Sequence, residues 1–94
     1  MTYSKRTDAN QQPIVDDLRK VGATVTVISG FGHGVPDLLV GYRGKNYLLE
    51  VKTETGEFTK REKEWFGEWQ GQASVVRNIT EALWEIGAIE CLEK

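Results

Sequence analysis

The sequence predicts one α/β domain with elements in the order α-β-β-β-α-β-α. Three observations carry this. A chain of 94 residues is the length of one domain. Apolar residues recur at helical spacing in some stretches and alternate at strand spacing in others. Glycine, proline, threonine and asparagine stand where one pattern gives way to the next.

Residues 1–9 are polar and expected to fray. Ile14, Val15, Leu18 and Val21 then make a helical stripe, with Pro13 in the first turn, Asn10 as N-cap and Gly22 as terminator. Ala23 to Ser29 is β-branched and alternating, and predicts a strand. Gly30-Phe31-Gly32-His33-Gly34 reads as a mobile loop. It is no dinucleotide fingerprint, since the spacing is wrong and a strand follows. Pro36 to Lys52 holds two apolar runs about Arg43, Gly44, Lys45 and Asn46, the pattern of a hairpin. Leu38, Val40 and Tyr42 mark one face, Leu39 and Leu48 the other. Apolar residues on both faces predict central strands covered on both sides. Thr59-Lys60-Arg61-Glu62 is a capping box opening a helix. Its Trp65, Phe66 and Trp69 read first as core packing on the sheet, with a dimer face or base stacking as alternatives. Ser74 to Arg77 is a short strand, and Asn78 caps a last helix with Ile79, Leu83 and Ile86 inward and Gly87 at its end. Residues 88–94 form a tail.

The hairpin carries the chemistry. Closed about the Arg43–Gly44 bond, it sets Tyr42 opposite Lys45, Leu39 opposite Leu48 and Asp37 opposite Glu50. Opposed side chains share a face, and Lys52, two residues beyond Glu50, joins them. Two facing carboxylates repel unless a cation lies between them. Mg²⁺ takes a few carboxylate oxygens and keeps several waters. It would polarise a phosphoryl oxygen and acidify a bound water, and Lys52 would steady the developing charge. The chemistry implied is metal-assisted phosphodiester hydrolysis. The plain alternative is a surface hairpin with an ordinary Glu–Lys pair.

Composition narrows the rest. One cysteine, Cys91, allows no intrachain disulfide and suits a reducing cytoplasm. One Cys and one His leave no zinc-ligand spacing. No apolar run approaches the ~18 residues of a membrane span, and no signal peptide is expected. A net charge of -2 argues mildly against a nucleic-acid binder, although acids at a metal site would be neutralised there. Basic residues form small groups: Lys5-Arg6, Arg19-Lys20, Arg43 with Lys45, and Lys60-Arg61 with Lys63.

Pro36-Asp37 with Glu50-Val51-Lys52 resembles the PD-(D/E)xK nuclease superfamily. The longer set Gly34 to Leu39, Glu50 to Lys52 and Gly56 to Thr59 resembles the VRR-NUC (virus-type replication–repair nuclease) family, over about Asn10 to Gly87. Small stand-alone members are similar to archaeal Holliday-junction resolvases and form homodimers. The resemblance implies a restriction-endonuclease-like core, a mixed sheet flanked by helices. It implies a Mg²⁺- or Mn²⁺-dependent DNA endonuclease acting on branched DNA in repair, intracellular and consistent with a phage-encoded origin. No membrane or nucleotide cofactor is implied. Asp37 and Glu50 would be metal ligands with the Val51 carbonyl, and Lys52 the catalytic amine.

The family's first helix usually carries Glu eleven positions before its terminal glycine; here that position is Gln11. Gln11 would be an auxiliary ligand or water-orienting group, or an exposed first-turn residue, with Asp8 as a substitute. Glu62 stands where relatives often have Gln, and its cap is a sufficient reason for it. His33, Lys60, Lys63 and Arg77 are candidate DNA contacts, and His33 also a candidate general base. Ser29 also falls near the site, where relatives carry a small polar residue. Two rival functions remain: a catalytically weak or inactive nucleic-acid-binding module, motivated by Gln11 and the acidic balance, and a small protein-interaction dimer, motivated by three tryptophans.

Overall fold

The structure is a computed structural model and describes residues 10–90. Lys5, Arg6, Asp8, Cys91 and the start expected to fray lie outside the described residues. The elements follow the predicted order: α1 (Gln11–Lys20), β1 (Thr24–Val27), β2 (Leu38–Tyr42), β3 (Lys45–Val51), α2 (Lys60–Glu68), β4 (Ser74–Val76) and α3 (Ile79–Glu85). The four strands form one sheet in the order β1-β2-β3-β4. β1 and β2, and β2 and β3, are antiparallel, while β4 lies parallel to β3, so the sheet is mixed.

The hairpin closes in the predicted register, with Leu38 opposite Leu49, Leu39 opposite Leu48 and Tyr42 opposite Lys45. Its two turn residues both have positive φ, 50° at Arg43 and 81° at Gly44. That is the I′ turn, whose twist matches the strands it joins. Arg43 occupies a position that favours asparagine or glycine, and its guanidinium lies 4.9 Å from the centre of the Tyr42 ring.

Alternation along the strands sends Leu38, Val40, Leu49, Val51 and Val76 to one face, where they are fully buried. Ile14, Val15 and Leu18 of α1 and Ala82 and Ile86 of α3 cover them. Each such Val, Leu or Ile side chain contributes roughly 1.5–3 kcal/mol through its removal from water. Both helices end in a Schellman motif. Gly22 donates to the Arg19 carbonyl and Ala23 to that of Leu18; Gly87 donates to Trp84 and Ala88 to Leu83. Val21 falls at the C-cap and is exposed, so the buried stripe of α1 stops at Leu18.

Three expectations are corrected. β1 ends at Val27, and Ser29–Phe31 turn as a short 3-10 helix. The second face of the hairpin is not covered: Leu39 is 41% exposed. α2 has no buried residue, so Trp65, Phe66 and Trp69 do not pack into the core. They pack on one another instead, with Trp65 and Trp69 stacked at 4.7 Å and Phe58 and Phe66 at 4.8 Å. The Trp69 indole N–H donates to the Gln72 carbonyl at 3.0 Å, and Trp69 walls an open groove with Leu39 and Leu48.

Candidate active site

The uncovered face carries the polar residues. A cleft of about 300 Å³ is lined by Asp37, Glu50, Val51, Lys52, Thr59, Glu62 and the loop Gly32–Val35. Asp37 sits one residue before β2, and its Oδ2 accepts the Val51 N–H at 2.9 Å. Its own carbonyl accepts the Ile28 N–H at 2.7 Å. The carboxylate is thus tied to β3 and the backbone to the end of β1. The Val51 side chain is buried on the opposite face, so Val51 meets the cleft with its main chain.

Glu50 is only 2% exposed. Burial first, then the charges of Asp37 and Glu62, push its carboxyl up to about 8, against an opposing pull from Lys52. Its Oε1 is buried without a hydrogen-bond partner among the described residues. Lys52 Nζ lies 3.4 Å from Glu50 Oε2 and 2.8 Å from Glu62 Oε1. Burial alone would lower the Lys52 pKa, but its hydrogen bonds and pairing with Glu62 and Glu50 hold it above the ordinary lysine value. Burial alone would raise Glu62; bonds from Lys52 and the Thr59 N–H outweigh it and hold Glu62 low.

Glu62 has two roles. The Thr59 N–H donates to Glu62 Oε1 at 2.8 Å and the Glu62 N–H to Thr59 Oγ1 at 3.2 Å, which is the predicted capping box. The same Oε1 meets Lys52. The cap was legible in the sequence; the ion pair was not, because nothing local says which way the free edge of that carboxylate faces.

Gln11 is 7% exposed, which overturns the exposed alternative, and its Oε1 has no partner among the described residues. Its neighbour Asn10 explains the burial. Asn10 does not cap α1 with its side chain. Its Nδ2 instead donates to the Lys52 carbonyl at 2.9 Å and the Arg77 carbonyl at 3.1 Å. The start of α1 is therefore pinned to the ends of β3 and β4.

The remaining candidates separate. His33, at φ 61°, lines the cleft, and its Nδ1 lies 3.3 Å from Arg61 Nη1. Arginine has no acceptor, so Nδ1 accepts in that contact. Lys60 and Lys63 are exposed on the first turn of α2, outside the cleft lining. Arg77 is not simply exposed: its Nη1 donates to the carbonyls of Thr53 and Gly56 at 2.6 and 2.7 Å and shapes the connection after Lys52. Gly34, at φ 81°, lies against the first turn of α2, where a Cβ would stand 2.4 Å from the Arg61 carbonyl oxygen. Only glycine permits that approach.

No family model matches this chain, and no curated protein matches it. A solved structure described as a "VRR_NUC domain" does match. It is 29% identical, and the match covers 80% of this chain and 89% of that one with a TM-score of 0.60. This chain has the fold of a VRR-NUC domain. The mixed sheet and the element order agree with that nuclease fold. Among the described residues no three His, Cys, Asp or Glu side chains are grouped to hold an ion. The cleft offers the carboxylate oxygens of Asp37 and Glu50 and the main chain of Val51. Such a set suits a hard cation that keeps several waters. The partnerless Glu50 Oε1 and the suppressed ionisation of Glu50 fit it too, since a bound cation would satisfy the one and reverse the other.

Proposed function

We propose that this chain is a divalent-metal-dependent DNA endonuclease that hydrolyses phosphodiester bonds, is selective for branched, Holliday-junction-like DNA, and works as an intracellular homodimer. The observation that supports it best is the meeting of Asp37, Glu50 and Lys52 in one cleft of a VRR-NUC-type fold. Asp37, Glu50 and the Val51 carbonyl would hold Mg²⁺ or Mn²⁺. When bound, such an ion supplies a polarised phosphoryl oxygen and a water of lowered pKa.

The chain's own groups do the rest. Lys52 keeps an ammonium beside the carboxylates, where negative charge grows on the phosphate. Gln11 offers an uncharged carbonyl oxygen to orient a water. Gly32 and Gly34 let the loop backbone approach the DNA strand closely. His33, Lys60 and Lys63 supply sequence-independent phosphate contacts, which suits chemistry addressed to the backbone. Glu50 must lose its proton before it can take a cation, so cation binding strengthens as pH rises.

The test is cleavage of labelled linear, forked, flap and four-way-junction DNA with Mg²⁺, Mn²⁺ or EDTA, comparing wild type with Lys52→Ala. Metal-dependent nicking that is lost in the variant and strongest on junctions is expected. A folded wild type that cuts none of these substrates would refute the reading. Sedimentation of the free protein tests the dimer. A second reading, a DNA-binding module with little catalysis, draws on the acidic balance and on Gln11, an amide where relatives carry an acid. It expects binding that persists in EDTA without cleavage.

A further inference from the structure

Lys52 follows directly on β3, yet its nearer carboxylate lies on another element. Its Nζ is 2.8 Å from Glu62 Oε1 on α2 and 3.4 Å from Glu50 Oε2 on β3. A lysine stem is flexible, and one neighbour two residues away on the strand does little to fix it. Glu62 is different, because the oxygen that meets Lys52 is itself held by the Thr59 N–H at 2.8 Å. Positional order passes from the helix cap to the carboxylate and from the carboxylate to the amine. Glu50 is a poorer anchor for a second reason. Any cation taken by Glu50 would compete with the amine for the same oxygens, whereas the Glu62 carboxylate is also held by the helix cap.

We infer that Glu62 is a positioning residue that holds Lys52 Nζ at the cleft. Its effect on turnover rests on the nuclease reading above; the pairing itself does not. Thr59 provides the contrast. Removing its hydroxyl weakens the cap but leaves the Glu62 carboxylate in place to meet Lys52.

The experiment compares wild type, Glu62→Ala, Glu62→Gln and Thr59→Ala in two assays. In the first, cleavage is resolved into kcat and KM. Glu62→Ala is expected to lower kcat about 10- to 100-fold with KM little changed, as loss of a supporting partner does. Glu62→Gln keeps an oxygen acceptor and a residue suited to the capping box, and recovers part of the rate. Thr59→Ala lowers the melting temperature and leaves kcat within about threefold. A Thr59→Ala loss equal to that of Glu62→Ala would reduce Glu62 to a structural cap, and an unchanged kcat in Glu62→Ala would also overturn the proposal. The second assay needs no activity. Metal-free protein is treated with acetic anhydride, and acetylation of Lys52 is read by mass spectrometry against exposed Lys20 and Lys45. The Lys52 rate is expected to rise several-fold in Glu62→Ala and to stay unchanged in Thr59→Ala. If Lys52 reacts equally in wild type and Glu62→Ala, the pairing does not hold the amine. A wild type that cleaves nothing while Lys52 is still protected by Glu62 would sink the nuclease reading alone.

Discussion

The two faces of β3 differ more than any two separate elements do. Leu49 and Val51 point into a core closed by α1 and α3. Glu50, between them, points into a cleft where it is also buried, but among charges. Strand alternation puts stability and chemistry on adjacent residues of one segment. The inner face gains free energy by losing water. The outer face loses free energy in the same way, because Glu50 is desolvated beside Asp37 and Glu62. A small domain can sustain such a site when the strand that bears it is anchored from behind.

Substitution should separate the faces. Lys52→Ala is expected to cut cleavage about a hundred- to ten-thousand-fold while lowering the unfolding midpoint far less than a core substitution does. Leu49→Ala should do the reverse, costing about 2–5 kcal/mol in urea unfolding through lost burial and the cavity left behind. A Lys52→Ala protein that unfolds, or a Leu49→Ala protein as stable as wild type, would break the comparison.

pH sharpens it. The Glu50 carboxyl binds its proton more tightly folded, at about 8, than at its ordinary 4.5. Between those values the folded state holds the extra proton. Metal-free stability is therefore greatest below that window and falls as pH rises through about 8, by at most about 1.4 kcal/mol per unit. Glu50→Gln should flatten this slope, and Mg²⁺ should stabilise the wild type more at high pH than at low pH. Thermal melts across pH 5–9 measure both. Asn10→Ala, which removes two bonds joining α1 to the strand ends, should cost about 1–2 kcal/mol. Leu39→Ser on the open face should change stability by about 0.5 kcal/mol or less.

Most of the fold was legible because its signals are local. The I′ turn follows from a hairpin centred on Arg43 and Gly44, and its register carries Asp37 to Glu50 without further information. The glycine stops at Gly22 and Gly87 and the Thr59 cap are likewise local. What escaped concerns partners. The aromatic stripe of α2 has the spacing of a core helix, but spacing does not name what an apolar face packs against. Asn10 reads as a cap by propensity, while its amide reaches two carbonyls far along the chain. Arg77 reads as a free cation and is a staple. The Glu62–Lys52 pair joins two elements whose approach is set by a third, the glycine loop.

That approach has an evolutionary consequence. Gly34 seats α2 by main-chain contact with Arg61, and α2 buries no side chain of its own. Lys63, Glu64, Glu68 and Gln70 are exposed and carry none of the seating. They can drift without moving Glu62 or the amine it meets. The outer surface of α2 is in this sense rewritable, while the Glu62–Lys52 geometry beneath it rests on a backbone contact that one missing methyl group protects.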